Sequence, residues 1–512
     1  MDFFPYLSEV QSSLVELLLV ASAAIIVPLI FHRDNETHRR VLLVVSALLI
    51  LRYAWWRGSE TLSPPGFDLS CFASWFLYAI EMFSLTSSLS ALAILSRTKN
   101  RAAEADAHAG WWAPGPAPKV AVLIATYNEE YSVLERTIVG ALALDYPDFE
   151  VMVLDDGRRT WLGEYCARMG VRYITRPDNL GAKSGNMNHA LAELARDLTP
   201  PEFIGVLDAD FVPHRNFLTR TIALCHDPKV ALVATPQHFF NADPIQHNLG
   251  LGDAYPDEQR LFFDHLQPSR DAWGIPVCAG TSTLIRWQAI QDIGGFSTDT
   301  VTEDFMVTLT LQEAGWNSVY LCEALSEGLA PEGLKEYITQ RARWCLGMMQ
   351  IARSKMGPLS RNRLRLRDRW SALDAIAYWF STFPFRIAAL FYPLLYWFCN
   401  VTAVNASVAG IISNFGVYYF WTLMTLNFLT RGLIVPIISD VSQLIAAGPI
   451  TRAAFAGMFN PHGHPFKVTA KGGDRSKVVV QWRLMAPFAV LLALTLLGLT
   501  LAMFSDKYAY FD

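Results

Sequence analysis

The chain has 512 residues, more than one ordinary domain holds, and a formal net charge of −5, so its overall charge gives no sign of a nucleic-acid partner. Hydrophobic residues make up 52% and charged residues only 17%, a balance that in so long a chain points to membrane spans. The seven cysteines include no Cys-x-x-Cys pair, which argues against a disulfide framework or a zinc site.

Met1 to Val10 carries no Lys or Arg, so the first apolar run is a poor signal peptide. Leu14–Phe31 is long enough to cross a bilayer, Val41–Trp56 is a shorter second span ending in Trp55-Trp56, and Cys71–Leu95 is a third that contains Glu81. His32–Arg40 holds three arginines, and Arg97, Lys99 and Arg101 follow the third span. The positive-inside rule makes both of these segments cytoplasmic and puts the N-terminus outside. Residues 1–101 are thus read as three transmembrane helices, and Ala102–Pro118, rich in Ala, Gly and Pro, as a linker.

From Lys119 the pattern changes. Strands are predicted over Lys119–Ala125, Glu150–Leu154, Val171–Ile174 and Phe203–Leu207, with helices over Ser132–Leu144 and Gly181–Leu194. This alternation indicates an α/β domain with a mostly parallel sheet, running from 119 to about 357. Polar motifs follow the strands: Thr126-Tyr127-Asn128-Glu129, Asp155-Asp156-Gly157 and Asp208-Ala209-Asp210. Ligands of such sheets bind beyond the carboxyl ends of the strands, so these motifs are expected to converge.

Leu359–Arg369 contains five arginines and suits a cytoplasmic membrane surface. Ala372–Cys399 and Ser407–Leu429 are two more spans, Arg431–Asn460 is an amphipathic interfacial segment, and Leu484–Phe504 is the last span. Residues 358–460, a polar loop at 461–480 and 481–512 complete the organisation, with the C-terminus outside.

Asp208 and Asp210 stand one residue apart after a buried strand, where two carboxylates share a divalent cation whose shell a nucleoside diphosphate completes. Asp156 before Gly157 is also compatible with a simple turn. In Thr302-Glu303-Asp304, a carboxylate beside an acceptor hydroxyl takes its proton as that oxygen attacks a sugar. The same triplet reads as a helix start, with Thr302 capping and the acids favouring the dipole of a helix over Glu303–Ala314. A single base, a metal-held diphosphate and no obvious nucleophile suggest one direct, inverting displacement.

Gln340-Arg341-Ala342-Arg343-Trp344 heads the amphipathic stretch Ile338–Ala352. It reads either as a basic interfacial helix with its Trp at the headgroups or as an arginine pair gripping a diphosphate beside an aromatic platform for a sugar. In Pro461–Gly473, His462 and His464 lack further ligands and are discounted as a metal site. Phe466 suits stacking on a base and Thr469 and Lys471 suit phosphate, which reads as a lid.

Together these motifs, with the connecting TPQHFFNADPIQHNLG, resemble the processive family 2 glycosyltransferases of the bacterial cellulose synthase type, over Lys119 to about Arg483. The resemblance implies a GT-A, Rossmann-like cytoplasmic glycosyltransferase domain inserted between transmembrane helices of the bacterial inner membrane. It implies UDP-glucose as donor, Mg²⁺ or Mn²⁺ as cofactor, a growing β-glucan threaded through the chain's own channel, membrane lipid around it and periplasmic or accessory subunits as partners. By the same resemblance, Tyr127, Glu129, Asp156, Lys183, Asp208, Gln340, Arg341 and Arg343 bind the UDP-sugar, and Asp208 and Asp210 bind metal. Asp304, with Glu303, is catalytic; Trp344, Cys278, Gly280 and Thr281 meet the acceptor; Phe466, Val468, Thr469 and Lys471 form a gating loop.

Three departures stand out. Phe211 follows Asp210 where relatives often have His, Val277-Cys278-Ala279-Gly280-Thr281 replaces the common FFCGS, and Cys345-Leu346 replaces Ala-Arg. With no further domain after the last span, the cyclic-di-GMP-binding module of many cellulose synthases is not expected. Smaller side chains in the acceptor wall favour a curdlan-type β-1,3-glucan, with cellulose-type β-1,4 as the alternative. Hyaluronan or chitin synthesis and non-processive lipid-linked sugar transfer are more distant readings. A transporter or receptor needs none of the carboxylate motifs.

Overall fold

The computed structural model describes residues 7–252, 254, 256–435, 438–464 and 478–504. The chain divides into two compact units. One gathers Met1–Arg97, Ala377–Arg452 and Lys477–Asp512; the other gathers Thr98–Ile376 and Ala453–Ser476. The boundaries of the second differ from the 119–357 expected from sequence, and the segment read as a linker opens with a short helix, Ala102–Ala107.

The second unit is built on a sheet. Its strands are β1 (Val120–Thr126), β2 (Phe149–Asp155), β3 (Arg172–Ile174), β4 (Phe203–Asp208), β5 (Phe211–Pro213), β6 (Val230–Ala234), β7 (His238–Phe239), β8 (Thr283–Arg286), β9 (Asn317–Tyr320) and β10 (Ser326–Gly328). Seven of them form one sheet in the order β3-β2-β1-β4-β8-β6-β9, and β5-β10-β7 form a small second sheet. The large sheet is parallel except at β8, which runs against both β4 and β6. The α/β class read from the alternating pattern is the observed one.

The apolar runs of β1, β2 and β4 are buried on both faces, as central strands of a doubly covered sheet must be. Because successive side chains point to opposite faces, Val120, Val122 and Ile124 enter one core while Ala121 and Leu123 enter the other. The register then fixes the functional edge: Thr126 lies opposite Asp155, and Ala125 opposite Asp208. Three strands therefore end side by side, where the chain order reverses between β1 and β4, and their following motifs meet there.

Among the described residues, four helices are long and apolar enough to cross a membrane: Glu9–Ile30, Glu36–Glu60, Leu69–Leu95 and Trp482–Met503. These match the first, second, third and last expected spans. The region of the other two holds the helix Leu366–Cys399, with Pro384 and Pro393 inside it, and a helical run from Val408 to Leu429 with a π-turn at Ile412–Gly416. The amphipathic segment forms the helix Ile438–Phe459. Within the first unit, Glu81 pairs with the buried Arg57 at 2.9 Å and accepts a hydrogen bond from Tyr53.

Candidate active site

The Thr126–Glu129 turn is held from within. The Glu129 carboxylate accepts from the Thr126 hydroxyl at 2.6 Å and from the Tyr127 amide at 2.8 Å, while the Tyr127 ring is exposed. Arg159 braces the same turn by donating to the Glu129 carbonyl and the Thr126 hydroxyl, both at 2.7 Å. Asp155 anchors Arg159 and accepts from the Tyr173 hydroxyl at 2.8 Å. Asp156, its neighbour, is buried and held by Arg176 through two bonds of 2.6 and 2.7 Å. Arg176 also donates to the carbonyls of Leu180 and Ala182, at 2.6 and 2.9 Å, so it ties Asp156 to the start of the helix Ala182–Leu194.

That helix presents Lys183 in its first turn. The Lys183 ammonium donates to Asp208 Oδ1 and to the Gly280 carbonyl, each at 2.5 Å. Burial pulls its pKa down, but Asp208, and after it Glu303 and Asp304, outweigh burial and push it up overall. Asp208 closes β4, and its amide donates to the Thr281 hydroxyl at 2.8 Å. Asp210 lies in the turn to β5 and is half-buried.

Asp304 occupies the first turn of the helix Glu303–Glu313. Gly280 faces it: φ there is +89°, and an added Cβ would stand 3.0 Å from Asp304 Oδ2. Gly280 thus satisfies two demands, a left-handed backbone and close approach to a carboxylate. Burial, with the neighbouring Glu303 charge, pushes the Asp304 carboxyl up to about 7, against the pull of Lys183 and Arg343. The small cavity beside it is lined by Met187, Cys278, Gly280, Phe296, Glu303 and Asp304, among others. Cys278 is buried, and burial pushes its thiol up to about 12, so it stays protonated at neutral pH. Thr302 stands at the start of the helix, but its hydroxyl makes no cap. It lies 3.2 Å from the Thr300 hydroxyl instead, so the capping expected from sequence is not observed.

Gln340 to Trp344 lie in the helix Leu334–Arg353. Arg343 acts electrostatically on Asp304. Arg341 is buried, pairs with Glu258 at 3.0 Å and lies 3.3 Å from the centre of the Tyr337 ring. Gln340 Oε1 and Arg341 Nη1 are buried side-chain atoms without a hydrogen-bond partner among the described residues. Trp344 is half-buried, 5.8 Å from the Arg341 guanidinium. Phe466, Val468, Thr469 and Lys471 lie outside the described residues.

The structure therefore brings Lys183, Asp208, Gly280, Thr281, Glu303 and Asp304 together, with Arg343 within electrostatic reach. Sequence reasoning missed Arg159, Arg176 and Glu258, because a lone arginine or glutamate carries no spacing that names its partner across the fold. Among the described residues no group of three His, Cys, Asp or Glu side chains is placed to hold a metal. Asp208 and Asp210, both partly exposed on one strand end and its turn, supply the two oxygen donors that suit a hard cation completing its shell on a phosphate ligand.

Residues 116–347 match the family model for glycosyltransferase-like family 2, and residues 290–435 match that for cellulose synthase. The cellulose synthase 1 catalytic subunit (UDP-forming) of Komagataeibacter xylinus is 34% identical over 500 residues, covering 95% of this chain and 65% of the relative. The corresponding subunit of Pseudomonas fluorescens is 34% identical, covering 90% of this chain and 61% of the relative. The chain thus spans less than two thirds of the length of these relatives. Among solved structures, a mannosyltransferase of Pyrobaculum calidifontis in complex with GDP-Man and Mn²⁺ aligns with a TM-score of 0.47 at 16% identity, over 75% of this chain and 100% of its own.

The β-1,3 product expected from the acceptor wall is not supported, because the relatives are cellulose synthases. Of the residues that carried that expectation, Val277 and Cys345 are buried at 3% and 0% exposure, so neither side chain lies on an open surface. The fold is the expected GT-A α/β fold, and the chain is similar to family 2 glycosyltransferases over residues 116–347 and to bacterial cellulose synthase catalytic subunits over most of its own length.

Proposed function

We propose that the chain is a processive, inverting β-glucan synthase of the inner membrane that takes glucose from UDP-glucose and makes a β-1,4-linked, cellulose-type polymer. The observation that carries this reading is the placement of Asp208, Lys183 and Gly280, joined by hydrogen bonds, with Asp304 packed close against Gly280. It joins a phosphate-side pair of groups to a buried carboxyl with a pKa near neutrality.

In this reading Tyr127 and Glu129 receive the nucleotide base, with Arg159 keeping their turn rigid. Asp156 acts through Arg176 on the start of the Lys183 helix. Asp208 and Asp210 would hold a Mg²⁺ or Mn²⁺ ion, which when bound neutralises diphosphate charge. Arg343 and Lys183 bring further positive charge to the leaving UDP, and Gln340, in the same helix as Arg343, has a side-chain NH₂ that can donate to the diphosphate. Asp304 accepts the proton of the acceptor hydroxyl as that oxygen attacks the anomeric carbon. The C1–O bond to UDP breaks as the new bond forms, so an α-linked donor yields a β-linkage. Trp344, Cys278, Gly280 and Thr281 stand as the acceptor side. The membrane helices would provide the exit for the polymer.

The test is product analysis. Purified protein given UDP-glucose should release UDP and form a polymer that a cellulase degrades and an endo-β-1,3-glucanase leaves intact. The opposite digestion pattern would overturn the linkage, and a preference for another UDP-sugar would overturn the donor.

A further inference from the structure

The helix Leu334–Arg353 does more than carry the Arg343 motif. Arg343, Gly347 and Gln350 follow one another at spacings of four and three, so they share one helix face. That face meets the turn that leads into Asp304. An added Cβ on Gly347 would stand 2.2 Å from Thr302 Oγ1, far inside contact distance. The Gly347 carbonyl accepts from the Thr300 hydroxyl at 3.2 Å. One turn on, Gln350 Oε1 accepts from the Val301 amide at 2.9 Å. Its Nε2 donates to the Pro461 carbonyl at 2.8 Å, just beyond the helix Ile438–Phe459. Gly457 of that helix packs on the opposite partners, where an added Cβ would stand 2.7 Å from Met349 Cβ and 3.0 Å from the Leu346 carbonyl.

Gln350 is buried, so both ends of its amide are committed to backbone groups of two other segments. Removing it would leave the part-buried Val301 amide and Pro461 carbonyl without this partner. Val301 stands three residues before Asp304, with only Thr302 between it and the helix that carries Asp304, so a shift of Val301 is passed to the carboxylate. Displacements on the order of 1 Å in an oriented site cost about a hundredfold in rate.

We propose that Gln350 is a positioning residue for sugar transfer: it locks the turn that carries Asp304 to the helix that carries Arg343, and fastens both to the chain at Pro461. The proposal rests on the reading of Asp304 as the base. Gln350 touches neither donor nor acceptor in this role and acts only through the placement of Asp304.

The test uses the full-length purified protein with UDP-glucose. Gln350→Leu should lower kcat by about tenfold or more, leave KM for UDP-glucose within about twofold, and move the acid limb of the kcat/KM profile. Gln350→Glu keeps an acceptor for the Val301 amide but sets an oxygen against the Pro461 carbonyl, and should recover part of the lost kcat. Asp304→Asn serves as the reference and should be inactive. Wild-type kcat and an unchanged pH profile in Gln350→Leu, beside an inactive Asp304→Asn, would overturn the positioning role while leaving the base in place. An active Asp304→Asn would remove the base and the proposal with it. Should Gln350→Leu not fold, Gln350→Glu decides: a lowered kcat at preserved KM upholds the role, and wild-type kinetics overturn it.

Discussion

A carboxyl pushed up to about 7 is a poor structural anion and a well-matched proton acceptor near neutral pH. Asp304 reaches that value because burial and Glu303 together outweigh Lys183 and Arg343. Two outcomes follow for the free enzyme. The kcat/KM profile should rise with a slope of one through a midpoint near 7, since kcat/KM reports the unliganded protein. A flat profile between pH 6 and 8 would remove Asp304 as the titrating base. The second outcome concerns stability. The raised value means that the folded chain binds a proton the unfolded chain has released, between the ordinary carboxylate range and about 7. Stability is therefore fully present below the unfolded value and is lost as pH rises through the folded one. Asp304→Asn, which cannot ionise, should melt close to wild type at pH 4 and above it at pH 8. A gap that is constant across pH would show that Asp304 has no raised pKa.

At the scale of elements, the helix Leu334–Arg353 is where local and tertiary preferences disagree. Gly inside a helix costs about 1 kcal/mol relative to Ala, yet position 347 is Gly because Thr302 leaves no room for a Cβ. Gly347→Ala should therefore lower kcat by tenfold or more, although Ala is the better helix former; rates equal to wild type would show that the contact relaxes freely. This kind of constraint was not legible in the sequence. The strand-and-helix alternation from Lys119 to Leu207 was, because continuous apolar runs followed by polar turns leave little choice of element. The second half of the sheet was not, since β6, β8 and β9 are short, and the reversal at β8 is set by pairing with β4 and β6. The carboxylate motifs were legible as local patterns, and strand register explains why they meet. Their arginine partners were not, for Asp156 and Arg176 are joined only by folding. Within the membrane-type helices Glu81 stood out as a charge in an apolar run, while its partner Arg57 looked like an ordinary flanking base.

The whole molecule consists of two compact units, so its unfolding is not expected to be one all-or-none step. That division makes ligand binding readable by calorimetry without any turnover. A ligand bound only to the native form stabilises it by about 2.7 kcal/mol at a hundred times its Kd. UDP should raise the melting transition of the sheet-bearing unit and leave that of the helical unit in place. The size of the shift should depend on a divalent cation, because Asp208 and Asp210 offer negative charge to a ligand that is itself negative. Without a cation, Lys183 is already committed to Asp208, and the two carboxylates oppose the diphosphate. With Mg²⁺ or Mn²⁺ present the same carboxylates become attractive. UDP in excess chelator should therefore give little or no shift, and added cation should restore it. Asp210→Asn should weaken the cation-dependent part of the shift while keeping the melting temperature of the unliganded protein. A full UDP shift in chelator would show that Lys183 and the arginines suffice to hold the diphosphate, and that the carboxylate pair serves some purpose other than binding a cation.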